Sequence, residues 1–436
     1  MKHKLNTLRK KPFVRNVFIM ASGTAAAQVI AMVLSPIITR LYGPEAFGLL
    51  GVFTAVIAII TPIAALTYPI AIVLPKSDND AKGIVRLSLY ISTTISMVVA
   101  IILIFFNETI VDVFNIEAIA PFMLLIPLVI LFSGFLQVTE QWLIRKNQFR
   151  ITARVTVLQS LILNGSKVGI GFFHPVAAVL IVLTVFGQLL KSFMMIIGVK
   201  RANAIKEQGL VSEHASLSIK GLAKKYKDFP IYRAPEVFLN AISQGLPILM
   251  LTSFFGPASA GFYSIGKTVL GMPSQLIGKS VGDVFYPRIS EAANNGENLT
   301  KLITKATLAL GAVGIIPYGI VIIFGPSLFG FVFGSEWVTA GEYARWIALW
   351  SLFGFMNRPS VRALPVLSAQ AFHLRFTILM LVVRFLMLAI GYWVFESDVV
   401  AIALFGFSGA TLNIILILLT LNRSRRFDAS NSNNGV

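Results

Sequence analysis

Apolar positions along this chain gather into long runs, and polar positions gather into the short stretches between them. Runs of about 20 mainly apolar residues are long enough to cross a bilayer core as helices. They fall at about 16–38, 46–73, 84–106, 118–142, 151–173 and 175–199, then at about 231–255, 259–286, 302–324, 337–357, 371–395 and 398–421. The pattern predicts an all-α polytopic membrane protein with about 12 transmembrane helices.

The polar stretches set the orientation. Thirty of the 37 Lys and Arg fall in segments 1–15, 75–86, 143–154, 200–233, 287–305, 358–375 and 422–436, which are alternate connections. That is the positive-inside pattern, and it places both termini in the cytoplasm. Only Arg40 lies near a connection on the other side, where Glu108, Asp112, Glu117, Glu396 and Asp398 tip the balance to acid. The net charge of +18 is therefore topology and not a nucleic-acid footprint. Charged residues make up 13% of the chain, against about 25% in soluble domains. The basic N-terminus and the apolar run after it resemble a signal peptide. The run continues through Pro36 to Thr39, too long for a signal core, so it reads as a retained first helix. The tail Asp428–Val436 is polar and expected to be disordered.

The longest polar connection divides the chain into a cytoplasmic N-terminus (1–15), a first lobe of helices 1–6 (16–199), a cytoplasmic linker (200–230), a second lobe of helices 7–12 (231–421) and a cytoplasmic tail (422–436). Within the linker, Leu222, Tyr226 and Phe229 fall on one helical face, and Lys220, Lys224 and Lys227 largely on another. That is the pattern of an interfacial helix at the headgroups.

Two passages agree across the divide. Tyr42-Gly43-Pro44-Glu45-Ala46-Phe47-Gly48 matches Phe255-Gly256-Pro257-Ala258-Ser259-Ala260-Gly261, and Pro75-Lys76 matches Pro287-Arg288 at nearly the same distance downstream. Gly-Pro alone only favours a turn. Two such turns at equivalent places, each joining the first and second helix of its half, favour an internal duplication. Six helices per half keep both halves in the same orientation, as in parallel repeats. Gly43, Pro44, Gly48, Gly256, Pro257 and Gly261 are thus candidate hinge or turn residues. Small residues at four-residue spacing (Gly23, Ala27 and Ala31; Ser274, Gly278 and Gly282) permit close helix approach.

The chemistry of an enzyme is missing. There is no Cys, and His3, His174, His214 and His373 are scattered, so neither disulfide nor metal nor cofactor is expected. External connections are short and offer no nucleophile–base or carboxylate pair. Gly261-Phe262-Tyr263-Ser264-Ile265-Gly266-Lys267-Thr268 fits the P-loop pattern letter for letter. However, it opens an apolar helix on the outer side, without the preceding strand that a phosphate loop needs, so no ATP is expected.

Charge inside the runs is the remaining signal. Lys167, Lys191, Lys267, Lys279, Arg345 and Arg384 lie within predicted helices. A charge at the bilayer centre costs roughly 2.5–3.5 kcal/mol even on a permissive scale, so it usually faces a partner or a wet cavity. Lys279 can neutralise Asp283 four residues on, Arg233 can pair with Glu236, and Lys191 lies near enough to the inner surface to snorkel. Lys167, Lys267 and Arg384 have no acidic neighbour one turn away, and Arg345 has Glu342 three residues before it. Tertiary bridges to Glu140 or Glu236 are the bland alternative for any one of them. Together they suggest a cavity for an anionic group.

At this point segments 28–76 and 225–291 resemble a known family. The residues are Ser35-Pro36-Ile37-Ile38-Thr39-Arg40-Leu41-Tyr42-Gly43-Pro44-Glu45-Ala46-Phe47-Gly48 with Tyr68-Pro69-Ile70-Ala71-Ile72-Val73-Leu74-Pro75-Lys76. They continue with Tyr226-Lys227-Asp228-Phe229-Pro230 and Phe285-Tyr286-Pro287-Arg288. They look like the oligosaccharide-flippase, polysaccharide-biosynthesis family of the multidrug/oligosaccharidyl-lipid/polysaccharide exporter superfamily.

The resemblance implies two pseudo-symmetric six-helix lobes around a central cavity in the bacterial inner membrane. It also implies transport of an undecaprenyl-diphosphate-linked oligosaccharide to the periplasmic leaflet, for surface polysaccharide or O-antigen. A polysaccharide polymerase and chain-length machinery are its candidate protein partners. The substrate-site candidates are Arg40, carried by the matching motif, and Lys167, Lys267, Arg345 and Arg384, carried by burial. A multidrug or cation antiporter of the related branch is the alternative, disfavoured because buried basics outnumber Glu140, Glu236 and Asp283. A membrane glycosyl polymerase is more distant still.

Overall fold

The computed structural model describes residues 12–114, 117–206, 217–274 and 279–433. Among these there are fourteen α-helices and no strand. Apolar sequence in lipid leaves no other open choice, because each backbone amide must be satisfied within its own segment. By internal packing the chain divides into two compact units, Met1–Leu249 and Met250–Val436.

In the first unit α1 runs Pro12–Ile60 and breaks at Gly43, so it holds the first two expected spans end to end. Short 3-10 turns at Thr61–Ile63 and Tyr68–Val73 close the second of them. Helix α2 (Asp78–Phe114) follows, then a 3-10 stretch Glu117–Leu125 leading into α3 (Ile126–Arg145). Next come α4 (Phe149–Gly171), α5 (Ala177–Lys206) and α6 (Ile219–Lys225). Helix α7 (Ala234–Phe255), entered through a π-helical turn at Phe229–Arg233, carries the chain into the second unit.

The second unit contains α8 (Pro257–Pro273), α9 (Lys279–Asn294), α10 (Leu299–Phe333), α11 (Val338–Met356), α12 (Arg358–Ala363), α13 (Gln370–Trp393) and α14 (Asp398–Asn433). Eight stretches are long and apolar enough to cross a membrane, one of them being the pair joined at Gly43. The expected spans without a qualifying stretch are α4, α8 with α9, and α11. The reason is local: α4 carries Arg150, Arg154 and Lys167, α8 has only 17 residues, and α11 carries Glu342 and Arg345. The number twelve is therefore approximate, while the helical polytopic architecture stands.

Three further differences from expectation have physical causes. The packing boundary falls inside α7 and not in the 200–230 connection. Helix α6 packs within the first unit: its Leu222 is fully buried among Ala71, Ile72, Ala81 and Ile84, with Tyr226 and Phe229 packed alongside. Thr67 Oγ1 donates to the Phe229 carbonyl (3.0 Å) and Tyr68 Oη to that of Ala223 (3.1 Å), fastening the same stretch. Lys220, Lys224 and Lys227 stay exposed.

Secondly, the polar tail is helical as far as Asn433. Asp428 holds it down by accepting from the backbone N–H groups of Leu299 and Thr300, each at 3.0 Å, and from Thr300 Oγ1 at 2.7 Å. It thus satisfies orphan donors at the start of α10. Thirdly, Lys191 does not snorkel: its ammonium pairs with Glu140 at 3.0 Å. Arg233 and Glu236 pair at 2.9 Å, as their spacing suggests. The side chains of Lys279 and Asp283, the residue Gly278 and the surroundings of Gly282 lie outside the described residues.

Candidate functional site

The two matched turns share one backbone conformation. Gly43 has φ 69° and ψ 172°, and Gly256 has φ 86° and ψ 173°. This region is essentially restricted to glycine. In each case proline follows as the first helical residue, where its missing N–H costs nothing. Gly48 and Gly261 lie buried one turn further on, inside the helices so begun.

The turns are tied down by different chemistry. In the first unit Tyr42 is 6% exposed, packs with Ile38, Ala46 and Leu180, and donates its hydroxyl to the Lys167 carbonyl at 2.9 Å. A Cβ on Gly171 would lie 2.6 Å from the Tyr42 ring, so glycine there makes room for it. Thr39 is fully buried, while Arg40 is exposed. The motif around Arg40 is thus a packing hub, and Lys167 belongs to it through its backbone; its side chain is half-buried. Far from the turn, towards the start of α1, α1 and α4 touch through small residues. A Cβ on Gly23 would come within 2.5 Å of Ala153 Cβ, and Ser160 Oγ reaches the Ala27 carbonyl at 2.9 Å.

In the second unit Asp398 does the tying. It accepts from Ser259 Oγ at 2.9 Å and Tyr343 Oη at 2.6 Å at the start of α14. Sequence reasoning counted Asp398 only as an external charge; nothing in its neighbourhood along the chain betrays the two hydroxyls.

Lys267 and Arg384 come together in the second unit. Helix α8 presents Tyr263 and Lys267 one turn apart, with the Lys267 ammonium 5.8 Å from the Tyr263 ring centre. Helix α13 supplies Arg384, whose guanidinium carbon lies 4.5 Å from the Trp350 ring centre on α11 and 5.7 Å from that of Phe405 on α14. Trp350 meets Phe405 edge-on at 5.3 Å, and Tyr263 meets Phe405 edge-on at 6.2 Å. Gly409 leaves the space for the indole, since a Cβ there would lie 2.9 Å from it. Tyr263 and Phe405 thus link the two cations through touching rings.

No ion pair among the described residues includes Arg384, and its Nε is enclosed without a hydrogen-bond acceptor. Aromatic faces stabilise a desolvated cation by about 2 kcal/mol. They do not, however, satisfy the N–H edge. The arrangement therefore presents an underused, planar donor next to a second cation, which is what a phosphate or carboxylate group would complete.

Arg345 takes no part in this group. It is exposed, and its Nε donates to the Ile322 carbonyl at 2.7 Å. Pro326, four residues after Ile322, has no N–H to give that carbonyl. Arg345 supplies the missing donor. The P-loop match is likewise resolved: Gly261 to Thr268 is continuous helix inside α8, with no loop to cradle a phosphate. Outside the spans, the Arg288 guanidinium holds the Glu297 carboxyl below the usual carboxylate range.

Long apolar helices in series make this a multi-pass membrane protein, with two cations set among aromatic rings in its second unit. Comparison with known proteins agrees. The structure resembles that of a multidrug resistance MATE family transporter of the MOP superfamily, in its inward-facing conformation. The TM-score is 0.70 at 11% identity, covering 92% of this chain and 95% of that one. It resembles the lipid II flippase MurJ in its inward closed conformation equally well, with TM-score 0.70 at 13% identity, covering 95% and 90%. At such identities the likeness concerns the fold. By sequence, the succinoglycan biosynthesis transport protein ExoT of Rhizobium meliloti (strain 1021) is 22% identical over 352 residues, 79% of this chain and 67% of that protein. The polysaccharide biosynthesis protein family model matches residues 37–342. The chain belongs to that family.

Proposed function

We propose that this protein moves an undecaprenyl-diphosphate-linked oligosaccharide from the cytoplasmic to the periplasmic leaflet of a bacterial inner membrane by alternating access, with both termini in the cytoplasm. The observation that carries the reading is the Lys267–Arg384 pair: two cations among Tyr263, Trp350 and Phe405, one with an unmet donor edge. In a polysaccharide-biosynthesis family, the anionic group that such a pair suits is the diphosphate joining sugar to lipid. The aromatic faces hold the guanidinium in place, and the ammonium beside it adds charge that needs no fixed geometry. Arg40 and Lys167, near the first turn, are further candidates for guiding the same anion.

The test is deletion of the gene, with surface glycan and cytoplasmic-face undecaprenyl-diphosphate-linked repeat units both quantified. Loss of surface glycan with accumulation of the lipid-linked unit, reversed by a plasmid copy, is the expected result. Normal glycan together with new sensitivity to cationic drugs overturns the reading in favour of antiport.

A further inference from the structure

A second basic site lies in the first unit, remote in sequence from the cation pair of the second. Where the first turns of α2 meet the start of α6, a recess of about 430 Å³ is lined by Asn79, Lys82, Gly83, Arg86, Ser218 and Ile219, with Leu217 at its edge. Lys82 and Arg86 are one helical turn apart, both exposed, and project from one face of α2.

Two carboxylates stand near the recess among the described residues. Asp78 is held by Arg145 and Lys146, and Asp80 accepts the Leu217 N–H at 3.0 Å. No ion pair among the described residues includes Lys82 or Arg86. Among the described residues the recess is therefore a polar hollow lined by two cations without an ion-pair partner and by no carboxylate.

Its floor is firm. A Cβ on Gly83 would lie 2.4 Å from Leu222 Cδ1, so α6 sits directly against the backbone of α2 at this point. Leu222 itself is fully buried. Beyond the rim, the exposed face of α6 adds Lys220 and Lys224, with Lys227 following. A hollow with two cations, an amide and a hydroxyl, bordered by a basic amphipathic helix, has the chemistry of a phosphate receptor at a membrane surface.

We propose that this recess seats the phosphate of an anionic phospholipid headgroup, held by Lys82 and Arg86, with Asn79 and the Ser218 hydroxyl completing the contacts. The bound lipid fastens α6 to the start of α2. The site is separate from the substrate reading above and does not depend on it.

The experiment is native mass spectrometry of the full chain released from detergent, titrated separately with phosphatidylglycerol, phosphatidylcholine and inorganic phosphate. The variants are Lys82→Gln with Arg86→Gln and, as an equal loss of charge elsewhere, Lys301→Gln with Lys305→Gln. The parent is expected to retain phosphatidylglycerol in preference to phosphatidylcholine. The first variant is expected to bind it roughly tenfold more weakly, and the second as the parent does. All four positions are exposed, and the size-exclusion profile reports whether each variant is folded. Equal weakening in both variants, or no preference for the anionic lipid, overturns the proposal. Binding of inorganic phosphate at this site without retention of the lipid also overturns it, by making the source a soluble phosphate.

Discussion

Of the six basic side chains within predicted helices, four are told apart by their surroundings. Lys191 meets Glu140, Arg345 serves a carbonyl that Pro326 leaves without a donor, and Lys267 and Arg384 share an aromatic seat. Removing Arg345 leaves the Ile322 carbonyl unmet, at about 1–3 kcal/mol. Arg345→Ala should therefore lower the thermal midpoint in detergent while leaving glycan export per folded molecule intact. A normal midpoint with lost export would return Arg345 to the substrate site.

Arg384→Ala and Lys267→Ala are expected to do the reverse: normal expression and insertion, with export reduced about tenfold or more. Arg384→Lys keeps the charge but loses the planar stack, and should fall between. Normal export in both alanine variants would falsify the assignment of the cation pair. The sequence showed that these charges needed a reason to be where they are. It did not show the reason, because Trp350 and Phe405 come from separate helices and Pro326 acts on a residue of another.

At the scale of elements, the Gly-Pro turns were legible in full. Aromatic-Gly-Pro at matched places predicts the same turn twice, and the structure has two glycines within 17° in φ and 1° in ψ of each other. Gly43→Ala and Gly256→Ala should each cost about 1–3 kcal/mol, since neither conformation suits a side chain. The drop in thermal midpoint checks this; unchanged midpoints would mean that the turns relax freely.

The amphipathic face of α6 was legible too, but not the surface it meets. Leu222→Ala deletes a fully buried side chain, a change that typically costs about 2–5 kcal/mol. Hydrogen exchange should rise across 217–229 more than elsewhere, which tests whether α6 detaches locally. The helical end at 422–433 was missed because its polar composition suits a tail, and only Asp428 docking on Leu299 and Thr300 makes it structure.

For the whole molecule, composition alone indicated a polytopic membrane protein, and the family and fold comparisons agree. The number of spans is less legible. Helices such as α4 and α11 owe their place to partners and carry charges that a hydropathy window counts against them. Sidedness has a direct test, helped by the absence of Cys. Single cysteines at Lys220 or Lys301 should react with a membrane-impermeant thiol reagent only in inside-out vesicles. Those at Glu108 or Glu396 should react in intact spheroplasts. The opposite pattern would reverse the orientation and, with it, the direction of transport.

Tyr42, Gly43 and Pro44 also bear on how the protein is made. The two helices meeting at Gly43 have no loop between them, only a change of direction. Neither arm can be delivered to the bilayer and left to wait for the other. The two arms are therefore expected to leave the insertion machinery together, as one unit. Arg40 would be the sole basic residue near its leading end. A biogenesis defect from lengthening this turn would then appear before any folding or transport defect, as a chain whose first hairpin faces the wrong side.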